Sequence, residues 1–408
     1  MTKETSHWDL VVIGGEREGH NVAAEAASRG ARVALVMPGF SGNGRTVGNQ
    51  QVRILTGMPR FVGPGALEVT TKSQSLQLSA ETIVIGIGSR PESPSSFLVD
   101  NRFVLDADSF EQAVGAHRVA IVGAGRDGLQ AATLLASVGV DVSIFDRRYR
   151  LLEESDSELV DLMLESVAGA GVTLRLGEDV AGVEPTASGA NVRLTGDDCE
   201  FFDRAVVSVG RRGNTESLDL ERIGLETDEQ GRLWCDERFK TWVEPIRAVG
   251  SVIGFPVSLR CSLDQGARCA VDVLFAGGFE RRPADAVMVS TSQPEIAQTG
   301  RTTEDLVAGG VDYQAGRVGF DRKAANSLKL LWNRRSGRVL GAHAMGPDVT
   351  DSIGRVAAAM RRCLTVDRLL SSCENDRLLR QAATAERSDT VDEEAVVEQG
   401  SAWRIDAV

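Results

Sequence analysis

The sequence predicts an α/β fold holding two copies of one strand–glycine turn–helix–strand unit, on three observations. First, "VVIGGEREGHNVAAEAA" (Val11–Ala27) and "VAIVGAGRDGLQAATLLASVGVDVSIFD" (Val119–Asp146) share an order of parts. Each opens with a Val/Ile-rich run, turns at glycines and continues as a small-residue helical stretch. Second, the glycines keep register: Gly14 matches Gly123, Gly19 matches Gly128 and Gly30 matches Gly139, each 109 residues apart. Third, each helical stretch stops at a glycine suited to a left-handed cap. Each then enters a second apolar strand, "RVALVM" or "DVSIFD". Two such βαβ units make two Rossmann-like, dinucleotide-type folds in one chain.

The 408 residues suffice for two or three domains with sizeable cores, and 43 Gly imply many tight turns. A net charge of −13 argues against nucleic acid or an acidic membrane as partner. The opening MTKETSHWDL shows no basic segment followed by an apolar one, so no signal peptide is expected, and no apolar run approaches a membrane span. The six cysteines (199, 235, 261, 269, 363 and 373) form no CxxC or CxxxxC pair. They suggest reduced, cytoplasmic packing residues, and Cys261 and Cys269 are expected on or near one helix as packed thiols. Four His with no ligand spacing make a metal site unexpected.

The second glycine motif is complete. Gly123 makes the tight turn, Gly125 lets backbone approach a pyrophosphate and Gly128 lets helix pack on strand. The anion would rest on the helix N-terminus, where free N–H groups and the dipole favour it. Asp146 closes the second strand, where a carboxylate can take ribose hydroxyls, and Arg147 and Arg148 could take a 2′-phosphate. NAD and NADP therefore both stay open. The first motif is altered where it would touch a ligand: Glu16 replaces the middle glycine and Met37 replaces the terminal acid. A Cβ would crowd the pyrophosphate and a carboxylate would repel it, so structure without ligand is expected there.

The second motif leads to a family. The chain resembles the pyridine nucleotide-disulfide oxidoreductase flavoproteins, and among them the soluble pyridine nucleotide transhydrogenases, over roughly residues 8–370. The resemblance is carried by "VIGIGSRP" (Val84–Pro91), "SVGRRGNTESLDLERIGLETDEQGRL" (Ser208–Leu233), "AVGSVIGFP" (Ala248–Pro256), "LDQGAR" (Leu263–Arg268) and "LKLLWNRRSGRVLGAHAMG" (Leu328–Gly346). It implies an FAD-type domain over 1–112 and 243–280, an inserted NAD(P)-type domain over 113–242 and an α+β dimerisation domain over 281–385. An acidic tail follows at 386–408, expected to be disordered. It further implies a cytoplasmic homodimer binding nicotinamide nucleotides, with Gly210 beside Gly123, Gly125, Gly128, Asp146, Arg147 and Arg148 at the NAD(P) site. The FAD-type positions are Gly14, Gly19, Gly88, Gly250 and Ser251.

Local patterns agree with the third domain. "SLKLLWNRRSGRVLGAHAM" is two strand-like runs around a polar turn. "TTEDLVAGG" opens with a capping-box-like Thr302/Asp305 pair, and "DVTDSIGRVAAAMRRC" is an amphipathic helix. His343, in a predicted strand, is expected to be a satisfied polar residue, and Asp264 and Gln265 match the family's helix beside the flavin.

The chain also departs from the family. After Met37 several tens of residues are missing, replaced by "PGFSGNGRTVGNQQVRILTG", which has no cysteine or lysine. No dithiol remains there, so disulfide reductase chemistry is excluded and no catalytic residue is identified. The family's Gly-Asp pair at the flavin ribityl chain is Gly250-Ser251, and Gln130 stands where the family has glutamate. The family's C-terminal His-Pro or Tyr-Pro segment is not recognisable. Glu16, Met37, the deletion and Ser251 all lie on the FAD side. Two functions follow: a transhydrogenase-like oxidoreductase passing hydride between NADH and NADP+ through FAD, or a relative that has lost FAD and serves as an NAD(H)-binding or dimeric regulatory module. Arg211 and Arg212 either flank the nucleotide or are surface residues.

Overall fold

The computed structural model describes residues 5–39, 52–196, 198–255, 265–274, 287–290, 294–320, 326–373 and 375–384. Most of the glycine-rich linker, Cys261, Asp264 and the acidic tail lie outside them.

Three sheets carry the fold. The first runs Val52–Thr56, Val33–Met37, Thr5–Ile13, Ser75–Ile85, Ala66–Thr70, Met58–Gly63 in spatial order. Its first four strands are parallel, and Ile246–Ala248 adds a parallel pairing to Ser75–Ile85. Near-continuous apolar runs such as "LVVI" suit strands covered on both faces. The second sheet is parallel throughout, in the order Thr173–Leu176, Asp141–Asp146, Arg118–Val122, Arg204–Val207, Val104–Asp106. The helices Arg126–Ser137 and Ser157–Gly169 cover one face. The antiparallel strands Val180–Pro185, Ala190–Leu194 and Cys199–Phe202 cover the other.

The two glycine turns superpose in logic as well as in spacing. Gly14 and Gly123 have φ of +124° and +105°, and a Cβ on either would overlap a backbone carbonyl of the next strand in the sheet, Gly86 or Ser208. Each turn's amide donates back to the second strand: Gly14 to Val36 O at 2.8 Å, Gly123 to Phe145 O at 2.7 Å. Steric necessity thus explains why these glycines persist whether or not a ligand is bound.

The sheets draw on chain outside the expected bounds. Val104–Asp106, expected in the first domain, pairs within the second sheet. Leu218, Leu220, Leu233 and Phe239, expected in the second domain, pack in the first core. Leu218–Phe239 follows the strand Arg211–Gly213, which pairs antiparallel with Ser89–Pro91 and so returns the chain to the first unit.

The third sheet is antiparallel, in the order Met288–Ser290, Ile296–Gly300, Val339–Met345, Ser327–Asn333, Tyr313–Val318. Helices Val349–Arg361, Val366–Ser372 and Arg377–Thr384 contribute to its core. The Thr302/Asp305 capping box forms, opening the helix Thr303–Ala308.

Buried charges fasten this domain to the second unit. Asp156 and Lys329 are both 0 % exposed and pair at 2.9 Å. Asp156 also accepts from the Thr303 amide at 3.0 Å and hydroxyl at 2.7 Å. Glu158 is gripped by both arms of Arg317 at 2.6 and 2.7 Å and by Lys329 at 3.1 Å. His343 Nε2 donates to Arg301 O at 3.0 Å, while Nδ1 has no partner among the described residues, so the residue is half satisfied.

These groups make the fold acid-sensitive. Burial alone would raise the Asp156 carboxyl, but nearby His343 and Lys329 and the hydrogen bonds from Lys329 and Thr303 outweigh it, taking it to about 2. Burial pulls His343 below its usual value of 6.5, despite the opposing pull of Asp156. Both folded values are depressed, so both groups stabilise the fold at high pH. The His343 contribution is full above about 6.5 and declines as pH falls from there; that of Asp156 declines between 3.8 and about 2. The Asp156 shift is worth roughly 2 kcal/mol. Urea unfolding at stepped pH is expected to show stability falling from about pH 6.5, with a second loss below about pH 4; a flat profile between pH 7 and 3 would contradict it.

Candidate functional site

Parallel sheets bind ligands at the carboxyl ends of their strands, beside the strand where chain order reverses. In the second unit that reversal flanks Arg118–Val122, and a cleft of 730 Å³ opens there. Four adjacent strand ends line it: Gly123, Gly125, Arg126 and Asp127 after the first, Asp146–Arg148 after the second, Glu178 and Asp179 after the third, and Ser208–Arg211 after the fourth. Glu92, Pro94, Phe97, Glu154, Arg232 and Ser251 complete the wall with a few apolar residues.

Six of the seven residues expected at an NAD(P) site line this cleft: Gly123, Gly125, Asp146, Arg147, Arg148 and Gly210. Gly128 instead packs beneath the turn, where a Cβ would overlap Gly123 O. Gly125 is the N-cap of helix Arg126–Ser137, and a Cβ placed on it would meet nothing within 4 Å. That open space over uncapped N–H groups is what a pyrophosphate needs.

Asp146 is buried, and its carboxyl lies below the usual range. Burial pushes it up, and hydrogen bonds from the Arg148 side chain, the Arg148 amide and the Ala124 amide override this. Its Oδ1 accepts from Arg148 N at 2.9 Å and Nε at 3.0 Å; its Oδ2 accepts from Ala124 N at 2.9 Å and Arg148 Nη2 at 3.0 Å. A carboxylate offers about four acceptor positions, so a ribose hydroxyl would have to displace Arg148.

The first unit has the same reversal, between Thr5–Ile13 and Ser75–Ile85, and the chain itself fills it. Glu16 is the N-cap there, with φ −75° and ψ 171°, close to Gly125 at −74° and −176°. Its carboxylate lies against Gly88, where it would overlap any Cβ. Burial raises the Glu16 carboxyl, opposed by Arg211 and reinforced by Asp108. Met37 occupies the position matching Asp146, and its Cε would stand 2.9 Å from a Cβ on Gly15. Where Asp146 bonds the turn amide of Ala124, Met37 only packs on the turn.

Two further donors on that side are taken. Gly250 N donates to Gln265 Oε1 at 2.7 Å, and Gly266 N donates to Glu18 Oε2 at 3.1 Å. Glu18 and Gln265 are themselves buried. The residues present do not fit an FAD pyrophosphate: its space holds a carboxylate, its ribose acceptor is a thioether, and the Gly250 and Gly266 amides are satisfied internally. Of the five FAD-type positions, Gly14 and Gly19 serve packing, Gly88 carries Glu16 and Gly250 is bonded by Gln265. Ser251 also lines the second unit's cleft, because the turn after Ile246–Ala248 reaches across to it.

Arg211 joins the two sites. It bonds Ser89 Oγ and O at 2.9 Å each, Asp108 at 2.7 Å and Asp127 at 3.2 Å. It lines the cleft, whereas Arg212 turns out toward Glu229 O and Glu92. Gln130 is absent from the cleft wall. Sequence reasoning missed Glu92, Phe97, Arg126, Glu154, Glu178 and Asp179. For "LGEDV" a signal existed: it follows the apolar alternation "VTLRL", which folds as the strand beside the one ending in Asp146. Among the described residues no His, Cys, Asp and Glu cluster could hold a metal, and no helix is long and apolar enough to cross a membrane. Cys269 is buried, with its thiol pushed up to about 12 chiefly by burial.

Fold and site together define an α/β protein with two units of the dinucleotide-binding type and an added antiparallel domain. The sequence profile of the pyridine nucleotide-disulphide oxidoreductases matches residues 41–267, and that of their dimerisation domain matches 287–375. The chain belongs to this family, whose members are FAD- and NAD(P)-dependent flavoprotein oxidoreductases. The first match begins beyond the altered glycine turn. A soluble pyridine nucleotide transhydrogenase of Mycobacterium tuberculosis is 29 % identical over 327 residues, covering 77 % of this chain and 69 % of the relative. The transhydrogenase of Vibrio parahaemolyticus is 30 % identical over 335 residues, covering 76 % and 72 %. Among solved structures, LpdA of M. tuberculosis has a TM-score of 0.79 at 20 % identity, covering 92 % of this chain and 98 % of its own. The copper complex of the E. coli flavoprotein disulfide reductase RclA has 0.74 at 21 %, covering 93 % and 99 %.

Proposed function

We propose that this protein is a flavin-free member of its family: a homodimer that binds a nicotinamide dinucleotide in the second unit, with its former flavin site filled by its own side chains. One contrast carries the reading. Two N-cap residues share one backbone conformation, and one is a glycine under open space while the other is a glutamate wedged against Gly88. A bound nicotinamide nucleotide supplies hydride chemistry. This chain contributes the turn, the open helix N-terminus and the Asp146–Arg148 edge that would hold it. Transfer through FAD between two nucleotides, as the relatives' name implies, needs a flavin that Glu16, Met37, Glu18 and Gln265 oppose. Disulfide reduction is opposed as well, since the first cysteine of the chain falls at 199. The dimerisation-domain match supports the homodimer.

Titration calorimetry with NADH, NADPH and FAD is the test. The expected result is a dissociation constant of about 1–100 μM for at least one nicotinamide nucleotide, or roughly 5–8 kcal/mol, and no heat from FAD. Heat from FAD alone would overturn the reading.

A further inference from the structure

One short segment, Glu154–Glu158, touches both the cleft and the dimerisation domain. Arg126, the first residue of the helix at the pyrophosphate turn, lines the cleft with Glu154. Arg126 Nη2 and Nε donate to Glu154 Oε1 at 2.9 and 3.3 Å, both to the same oxygen. The backbone carbonyl of that same Glu154 accepts from Gln298 Nε2 at 3.3 Å, from the strand Ile296–Gly300 of the dimerisation domain. Gln298 is 2 % exposed, and its Oε1 has no hydrogen-bond partner among the described residues. Two residues on, Asp156 is locked to Lys329 and Thr303 of that domain.

A pyrophosphate at this helix N-terminus would lie beside both members of the Arg126–Glu154 pair. It would attract the guanidinium and repel the carboxylate, and a phosphate can take a guanidinium by two parallel bonds. The single-oxygen contact to Glu154 is the weaker arrangement. We propose that a bound nucleotide's phosphate takes Arg126 from Glu154, and that the released Glu154 segment transmits the exchange to the dimerisation domain through Gln298 and the Asp156–Lys329 pair. This rests on the nucleotide-binding reading above. By linkage, a state of the dimerisation domain that favours the released segment favours nucleotide equally.

Hydrogen exchange with and without saturating NADH or NADPH tests it, together with calorimetry on the wild type and three variants. Nucleotide is expected to change exchange severalfold over Ile296–Thr303, including the Thr303 amide that Asp156 holds. Glu154→Gln is expected to tighten binding about fivefold and Arg126→Gln to weaken it about tenfold, within the usual range of such couplings. Gln298→Leu, which removes the bridge outside the cleft, is expected to keep binding while losing most of the exchange response. Wild-type binding with no exchange response at 296–303, and unchanged affinity in Glu154→Gln, would overturn the relay and leave nucleotide binding standing. No binding by the wild type would overturn both.

Discussion

Gly125→Glu is expected to cost at least about a hundredfold in nicotinamide nucleotide affinity while barely changing stability. The first unit is the natural precedent: Glu16 occupies the matching N-cap with the same extended backbone. The substitution therefore needs no strained φ, and its Cβ meets open space. The new carboxylate would stand a few ångströms from the pyrophosphate. Like charges about 4 Å apart at an effective dielectric of about 20 repel by roughly 4 kcal/mol, well beyond the 2.7 kcal/mol or so of a hundredfold loss. The change at a helix N-cap is worth about 1 kcal/mol of stability or less. Calorimetry and thermal unfolding of the variant check both halves. Wild-type affinity in the variant would mean that this turn does not hold the phosphates. The reverse change, Glu16→Gly, is expected to restore nothing, because Met37, Glu18 and Gln265 still fill the first unit.

Lys329→Met is expected to destabilise the protein by about 3–5 kcal/mol, the usual cost of stranding one member of a buried ion pair. Asp156 would keep Thr303, but would lose the ammonium bonded directly to a carboxylate that is 0 % exposed. The double change Lys329→Met with Asp156→Leu is expected to recover much of the loss, since Glu158 retains its two-armed contact with Arg317. Urea unfolding of the two variants measures this. If Lys329→Met costs less than about 1 kcal/mol, the pair does not fasten the dimerisation domain.

Much of this was visible in the linear sequence, for a steric reason. Gly14 and Gly123 cannot bear a Cβ beside the neighbouring strand, so the 109-residue echo survives even where Glu16 and Met37 replace the ligand-facing residues. Glu16 and Met37 could be recognised as wrong for a ligand because the intact copy shows what belongs there. The substitutes were invisible: Glu18 caps Gly266 across 248 residues, and nothing local in "EREG" announces that partner. That Ser251, on a turn of the first unit, also lines the second cleft was hidden for the same reason, since only the folded chain brings that turn there. Domain edges blurred because pairing, unlike motif spacing, lets Val104–Asp106 and Leu218–Phe239 cross over. The buried Lys329–Asp156 pair joins positions 173 residues apart, a distance no periodicity encodes.

The central question for this protein is whether the first unit still accepts a flavin. The most direct measurement is the absorbance spectrum of the purified full-length protein, before and after incubation with excess FAD and removal of the unbound portion. A colourless protein in both samples is the predicted result, and a stoichiometric flavin spectrum in either would contradict it.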